Sequence, residues 1–154
     1  MTKLGPGDAA PDFKLEDQNG EAVSLGDFAG QKLLVYFYPR ANTPGCTRQS
    51  CAVSAALPDF EKLGIAAVGI SPDEPAKQKR FDEKHELGFL LLADVDKRVA
   101  EAYGAVGEKK MFGKLTRGIV RSSFLVGEDG RILGAWYKVK PDDTVPAALE
   151  LLDD

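Results

Sequence analysis

Residues Lys32 to Tyr38 form an apolar and aromatic run, Lys-Leu-Leu-Val-Tyr-Phe-Tyr, stopped by Pro39. A strand with no apolar and polar alternation has no face to offer water. Both of its faces must be covered, which places it inside a sheet with helices packed on each side. The chain supplies the first such helix directly, because Thr43-Pro44 sets a capping residue before a proline at the first helical position. A helix is therefore expected to start at Pro44. Its far end is open, since Pro58 interrupts the apolar spacing and implies either a kink or a second short helix before Gly64.

The rest of the chain continues the pattern. Phe13, Leu15, Val23 and Leu25 flank the turn-rich Asp17-Gln18-Asn19-Gly20, which reads as an N-terminal hairpin. Ile65 to Ile70 is a second buried strand, Pro75 to Glu86 an amphipathic helix, Phe89 to Ala93 a strand and Lys97 to Tyr103 a further helical stretch. Gly104 to Gly118, rich in glycine and lysine, reads as a long loop. Ser122 to Val126 resumes as strand, Asp129-Gly130 turns the chain into a strand over Ile132 to Val139, and Thr144 to Leu152 closes as a helix. Strands and helices in this order predict an α/β fold, a mixed sheet with helices on both faces. With no repeat, no low-complexity tract and no linker, residues 1–154 are expected to form one domain.

Charge and composition exclude several function classes. The formal charge is −4 and no basic cluster stands out, so nucleic acid and anionic membrane are not expected partners. Met1 to Pro11 has neither the apolar run of a secretory signal nor the basic character of a transit peptide, and no segment has the length of a membrane span. The expected location is the cytoplasm. Two cysteines are too few for a secreted disulfide scaffold. With His85 they fall one short of the four ligands of a zinc site, so neither metal nor cofactor is expected.

The chemistry then concentrates on Cys46. It sits two residues after Pro44, where a buried strand has ended and a helix begins. Open α/β folds bind ligands at such strand ends. A sulfur in the first turn lies beside unpaired backbone N–H groups and the positive end of the helix dipole, an environment that favours thiolate over thiol. Thiolate alone is not catalysis. A free cysteine of pKa ~8.5 is about 3% ionised at neutral pH, so full ionisation gains about 30-fold, whereas enzymatic accelerations begin near ~10⁶. Other groups must orient the substrate and stabilise its leaving oxygen. By position alone, Cys46 reads either as a reactive thiol or as a small buried hydrophobe, and Cys51 reads as a structural helix thiol.

The whole segment resembles the peroxiredoxins, whose signature Pro-x-x-x-Thr-x-x-Cys is met by Pro39, Thr43 and Cys46. The closer form Thr-Pro-Gly-Cys-Thr-x-Gln-x-Cys, read from Thr43 to Cys51, is similar to the bacterioferritin comigratory protein or Q-type subfamily. Further matches are Pro11-Asp12-Phe13, Gly69 to Asp73, Tyr103-Gly104 and Arg121 to Val126, in the expected order along nearly the whole chain. The resemblance implies a thioredoxin-like fold with an added N-terminal β-hairpin, and a thiol peroxidase acting on hydrogen peroxide and organic hydroperoxides. It assigns Cys46 as the peroxidatic nucleophile, Thr43 as a hydrogen-bonding partner of sulfur and peroxide, and Pro39 as a shield against water. Arg121 is the arginine at the matching position, with Arg117, Arg40 and Arg48 as alternatives. Its planar guanidinium suits holding thiolate and peroxide oxygen together.

The resemblance also makes Cys51 the resolving cysteine, forming an internal disulfide with Cys46 that thioredoxin or a similar dithiol reduces. It implies a monomer, with a weak homodimer as the alternative. Such a disulfide demands a conformational change. Five residues of ideal helix separate the Cα atoms by roughly 8.6 Å on nearly opposite faces, beyond the ~7 Å that a disulfide spans. Two other functions are rivals, the first a thioredoxin-like disulfide reductase or isomerase, also built on a cysteine at a helix start. A disulfide reductase wants Cys-x-x-Cys, whereas four residues intervene here. A non-enzymatic holdase or redox sensor would consume peroxide only stoichiometrically. Bland readings apply to His85, a surface or half-buried residue of its helix, and to Trp136 and Tyr137, core and edge packing of the late hairpin; Gly45 leaves room beside Cys46.

Overall fold

The computed structural model describes residues 3–111 and 113–152. Its elements in order are β1 (Lys14–Asp17), β2 (Ala22–Ser24), β3 (Lys32–Phe37), α1 (Pro44–Lys62), β4 (Ile65–Ser71), α2 (Pro75–His85), β5 (Leu90–Ala93), α3 (Arg98–Ala102), β6 (Val106–Met111), β7 (Lys114–Ile119), β8 (Ser122–Val126), β9 (Ile132–Tyr137) and α4 (Thr144–Leu152). Seven strands form one sheet in the order β2-β1-β5-β4-β3-β8-β9. Strands β3, β4 and β5 are parallel, while β1 pairs antiparallel with β5, and β8 with β3. The N-terminal hairpin thus extends the sheet at one edge. Its turn is held by Asp17, whose Oδ1 accepts the N–H groups of Asn19 and Glu21 at 2.8 and 3.0 Å.

Strand β3 lies between β4 and β8, and residues 33–38 are all essentially inaccessible to solvent. Alternation sends its side chains to two cores. Leu33, Val35 and Phe37 join Phe124, Val126, Tyr103 and α3 residues Val99 and Ala100 on one face. Leu34, Tyr36 and Tyr38 join Cys46, Val53 and Phe60 of α1, Phe81 of α2 and Ala148 of α4 on the other. Burying a side chain of this size stabilises by about 1.5–3 kcal/mol before entropy is counted.

Three local expectations need correction. Gly104 to Gly118 is not a loop, because β6 and β7 pair antiparallel from Val106↔Ile119 to Met111↔Lys114. The described side chains of β7 from Lys114 to Arg117 are exposed, so they impose no apolar alternation; among the described side chains of the ribbon, Val106 and Ile119 at its root enter the core. Pro58 does not start a second helix, since α1 runs unbroken through it to Lys62. Proline removes one backbone donor, and the buried Val53, Ala56 and Phe60 hold both flanks against the sheet. Finally, β9 stops at Tyr137 rather than Val139, because Lys138 takes a left-handed φ of 57°.

Candidate active site

Helix α1 presents Cys46, Gln49, Ser50 and Val53 inward, the i, i+3, i+4, i+7 stripe of a single helical face. Three of these four residues are polar or reactive, yet all are buried. Cys46 is 1% exposed. The strand face below supplies partners. Arg121, immediately before β8, donates through Nη2 to Cys46 Sγ at 3.3 Å and through Nη1 to Gln49 Oε1 at 2.7 Å. Gln49 in turn donates to Thr144 Oγ1 at 2.8 Å, at the start of α4. The guanidinium is therefore fixed through Gln49, which is itself tied to α4, with one nitrogen aimed at sulfur.

Tyr36 fixes how α1 sits on the sheet. Its hydroxyl meets Ser50 Oγ at 2.7 Å. The ring reaches that hydroxyl only by crossing β4 at Gly69, where a Cβ would lie 2.7 Å from the tyrosine oxygen and 3.1 Å from the Tyr38 ring. Burial pushes the Tyr36 phenol far above its ordinary pKa, and the neighbouring Cys46 and Cys51 act in the same direction against Ser50 and Arg121. The phenol stays neutral. Gly45 serves a similar steric purpose, since a Cβ there would meet Arg121 Nη2 at 3.2 Å and Pro141 Cγ at 3.6 Å.

Thr43 occupies the N-cap position with extended backbone, as the sequence predicts, but its side chain makes no cap bond. Instead Oγ1 donates to the Arg40 carbonyl at 2.9 Å. The hydroxyl hydrogen is committed to the preceding loop. The N–H groups of Gly45 and Cys46 lie in the first helical turn, where helix geometry offers no internal acceptor, and no threonine oxygen takes them. Pro39 is half-buried at the exit of the strand. Cys51 is partly exposed, packs against the rim of the second core, and is a free thiol like Cys46.

The other candidate arginines lie elsewhere. Arg48 is exposed and pairs with Asp142 at 3.5 Å, Arg117 pairs with Glu101 at 3.6 Å from β7, and Arg40 is exposed beside Lys77 and Arg80. His85 stacks edge-on against Phe81 with ring centroids 5.4 Å apart. Sequence reasoning passed over Gln49, Ser50 and Tyr36. For Gln49 and Ser50 the signal was available: polar residues three and four positions after Cys46 must share its helical face.

Among the described residues no group of three or more histidine, cysteine or acidic side chains could hold a metal ion. No described helix is long and apolar enough to cross a membrane.

Residues 6–134 match the AhpC/TSA family model. Peroxiredoxin Bcp of Escherichia coli is 51% identical over 132 residues, covering 86% of this chain and 85% of the relative. A putative peroxiredoxin of Mycobacterium tuberculosis is also 51% identical, over 139 residues, with 90% and 88% covered. Among solved structures, a cysteine-to-serine variant of Xylella fastidiosa PrxQ superposes with a TM-score of 0.91 at 30% identity, covering 99% of this chain and 97% of that one. The bacterioferritin comigratory protein of Xanthomonas campestris, described for its alkyl peroxide reduction activity, gives 0.86 at 36% identity, with 91% and 89% covered. With its thioredoxin-like sheet and a cysteine at the head of α1, the chain belongs to the AhpC/TSA family as a peroxiredoxin of the Bcp/PrxQ kind, a thiol-dependent peroxidase.

Proposed function

We propose that Cys46 is the peroxidatic cysteine and Cys51 the resolving cysteine of a peroxidase that reduces hydrogen peroxide and organic hydroperoxides. The single observation carrying this reading is the 3.3 Å contact of Arg121 with the Cys46 sulfur, made by a guanidinium already fixed by Gln49. The Cys46 thiolate attacks one peroxide oxygen. As the S–O bond forms the O–O bond breaks, and the departing oxygen takes a proton and leaves as water or alcohol. Sulfur is oxidised by two electrons to a sulfenic acid and the peroxide is reduced by two. Arg121 donates toward both sulfur and the developing negative oxygen, the place where a preorganised cation stabilises the transition state most.

Thr43 gives its own hydrogen to Arg40, which leaves its oxygen lone pairs free to accept the peroxide O–H. The N–H of Cys46, in the first turn of α1, offers a further donor at the helix start. Pro39 keeps water from the strand end. The Cys51 sulfur then attacks the sulfenic sulfur, expelling water and closing the Cys46–Cys51 disulfide, and a dithiol such as thioredoxin reopens it by exchange. The alkyl peroxide reduction of the Xanthomonas relative supports the organic substrate class. We place the enzyme in the cytoplasm as a monomer, with peroxide and dithiol as its partners.

A peroxidase assay coupled to thioredoxin and its reductase tests the reading. Wild type turns over repeatedly, Cys46→Ser is inactive, and Cys51→Ser reacts with one peroxide and then stalls under thioredoxin. Residual turnover above a few per cent in Cys46→Ser would contradict the assignment.

A further inference from the structure

The loop from Pro39 to Thr43 delivers Cys46 to its position, and its hydrogen bonding is sparse. Tyr38 N–H donates to the Ile70 carbonyl at 3.0 Å, and Arg121 reaches Cys46 at the far end. Between them, among the described residues, a single hydrogen bond ties the loop to another element: Ala41 N–H donates to Asp73 Oδ2 at 2.7 Å. The Thr43 bond to Arg40 is internal to the loop.

Asp73 is well fixed for such a task. It lies two residues past the end of β4, is buried, and its Oδ2 also accepts the Ser71 hydroxyl at 2.8 Å. Ser71 Oγ receives Gln78 Nε2 at 2.8 Å, and that amide also donates to the Leu92 carbonyl at 2.9 Å. Gln78 Oε1 takes the hydroxyl of Tyr38, the residue where the loop begins. Ser71, Gln78 and Tyr38 are all essentially inaccessible to solvent. A chain of buried hydrogen bonds therefore runs from the core of the sheet through β4 and α2 and ends on one backbone N–H of the active-site loop. Networks of this kind are stiff, because breaking any member leaves a buried polar group unpaired.

We infer that Asp73 is a positioning residue that latches the Cys46 loop in the arrangement reactive toward peroxide and slows its opening toward Cys51. The inference rests on the proposed roles of Cys46 and Cys51. Helical geometry keeps the two sulfurs apart until the first turn of α1 unwinds, and residues 39–43 form the strand of chain that has to yield or hold as it does so. Holding the loop favours attack on peroxide, which needs Arg121 on the Cys46 sulfur and the Thr43 oxygen placed to accept the peroxide O–H. Releasing it favours disulfide formation. The two steps should thus respond to the latch with opposite sign, which general damage to the fold does not do.

The hydrogen bond, not the charge, is the operative feature. Asp73 Oδ1 carries no hydrogen bond to the described protein, and the single amide oxygen of an asparagine could accept from both Ala41 and Ser71. Single-turnover kinetics in full-length protein test this, following sulfenic acid formation and then disulfide closure separately. Asp73→Ala should slow the peroxide step about tenfold and speed disulfide closure several-fold, the scale of one lost buried hydrogen bond. Asp73→Asn should restore both rates to within about threefold of wild type. Ser71→Ala, which frees the carboxylate from behind, should shift both steps in the same senses by smaller factors, and stands in if Asp73→Ala does not fold. The proposal is overturned if both steps slow together or neither moves. It is equally overturned if Asp73→Asn matches Asp73→Ala, an outcome that would give the role to the carboxylate charge beside Arg40, Lys77 and Arg80. A wild type that forms no peroxide-driven Cys46–Cys51 disulfide would instead defeat the underlying assignment of the cysteines.

Discussion

The two faces of the central sheet are built from alternate residues of the same strand and differ in kind. On the face toward α3, Phe37 packs edge-on to Phe124 with centroids 5.9 Å apart, and Tyr103 and Tyr137 also meet Phe124 edge-on, at 5.2 and 5.3 Å. This core is apolar and aromatic with its hydroxyls turned outward to backbone, as in Tyr103 to the Pro11 carbonyl. On the face toward α1, the rings of Tyr36 and Tyr38 carry their hydroxyls inward, to Ser50 and Gln78. Gln49 and Ser50 are buried there with Cys46, and Ser123 Oγ is buried without a hydrogen-bond partner. One face holds the sheet together. The other gives up apolar packing for polar groups that fix a sulfur and a cation in place, and it is correspondingly the face that a redox cycle can open.

Substitutions on the two faces should separate accordingly. Cys46→Ser is expected to lower peroxide turnover to the uncatalysed background, at least about a thousandfold, because serine offers no anion at neutral pH, with thermal stability close to that of wild type. The coupled assay and a melting curve check both halves. Phe124→Ala should do the reverse. Removing a fully buried ring costs about 3–5 kcal/mol of stability, read by denaturant unfolding, while the peroxide rate per folded molecule stays within about twofold of wild type. A large loss of rate in folded Phe124→Ala would break the distinction between the faces.

Arg121→Gln should slow the peroxide reaction about a hundredfold, the usual consequence of losing one preorganised donor, and Arg121→Lys should recover only part of it because a single ammonium cannot reach Cys46 and Gln49 together. Stopped-flow kinetics with the purified variants measure this. Unchanged kinetics would move the role to another cation. The smallest effect is expected at Thr43, where Thr43→Val should cost about tenfold and Thr43→Ser about twofold, since the hydroxyl and not the methyl makes the contact. Equal losses in the two variants would reduce Thr43 to its place at the head of the helix.

How much of this was legible in sequence differs by face as well. The run Leu33 to Tyr38, the helix start at Thr43-Pro44 and the turn at Asp129-Gly130 carry strong local chemistry, and the corresponding elements form. Strand β7 left no such trace, because a ribbon with Lys114 to Arg117 exposed needs no apolar alternation. Within the site, Cys46 is marked by its position at a strand end and helix start. Arg121 is not, since 75 residues separate it from Cys46 and only the fold of β8 against β3 brings them together. The resemblance to a family pointed to it where spacing could not. Gln49 and Ser50 could have been found from helical periodicity alone. Asp73 could not, because its partner is a backbone N–H, which no side-chain pattern records.

The central claim is that oxidation opens the α1 face and leaves the aromatic face closed. Peptide-resolved amide hydrogen exchange on the reduced protein, and on protein treated with one equivalent of peroxide, tests it directly. The expected result is faster exchange between Thr43 and Ala55 in the oxidised state, as the first turns of α1 unwind to join Cys46 and Cys51, with Ser122 to Val126 exchanging as slowly as before. Identical exchange across Thr43 to Ala55 in the two states, or loosening that spreads equally into β8, would contradict it.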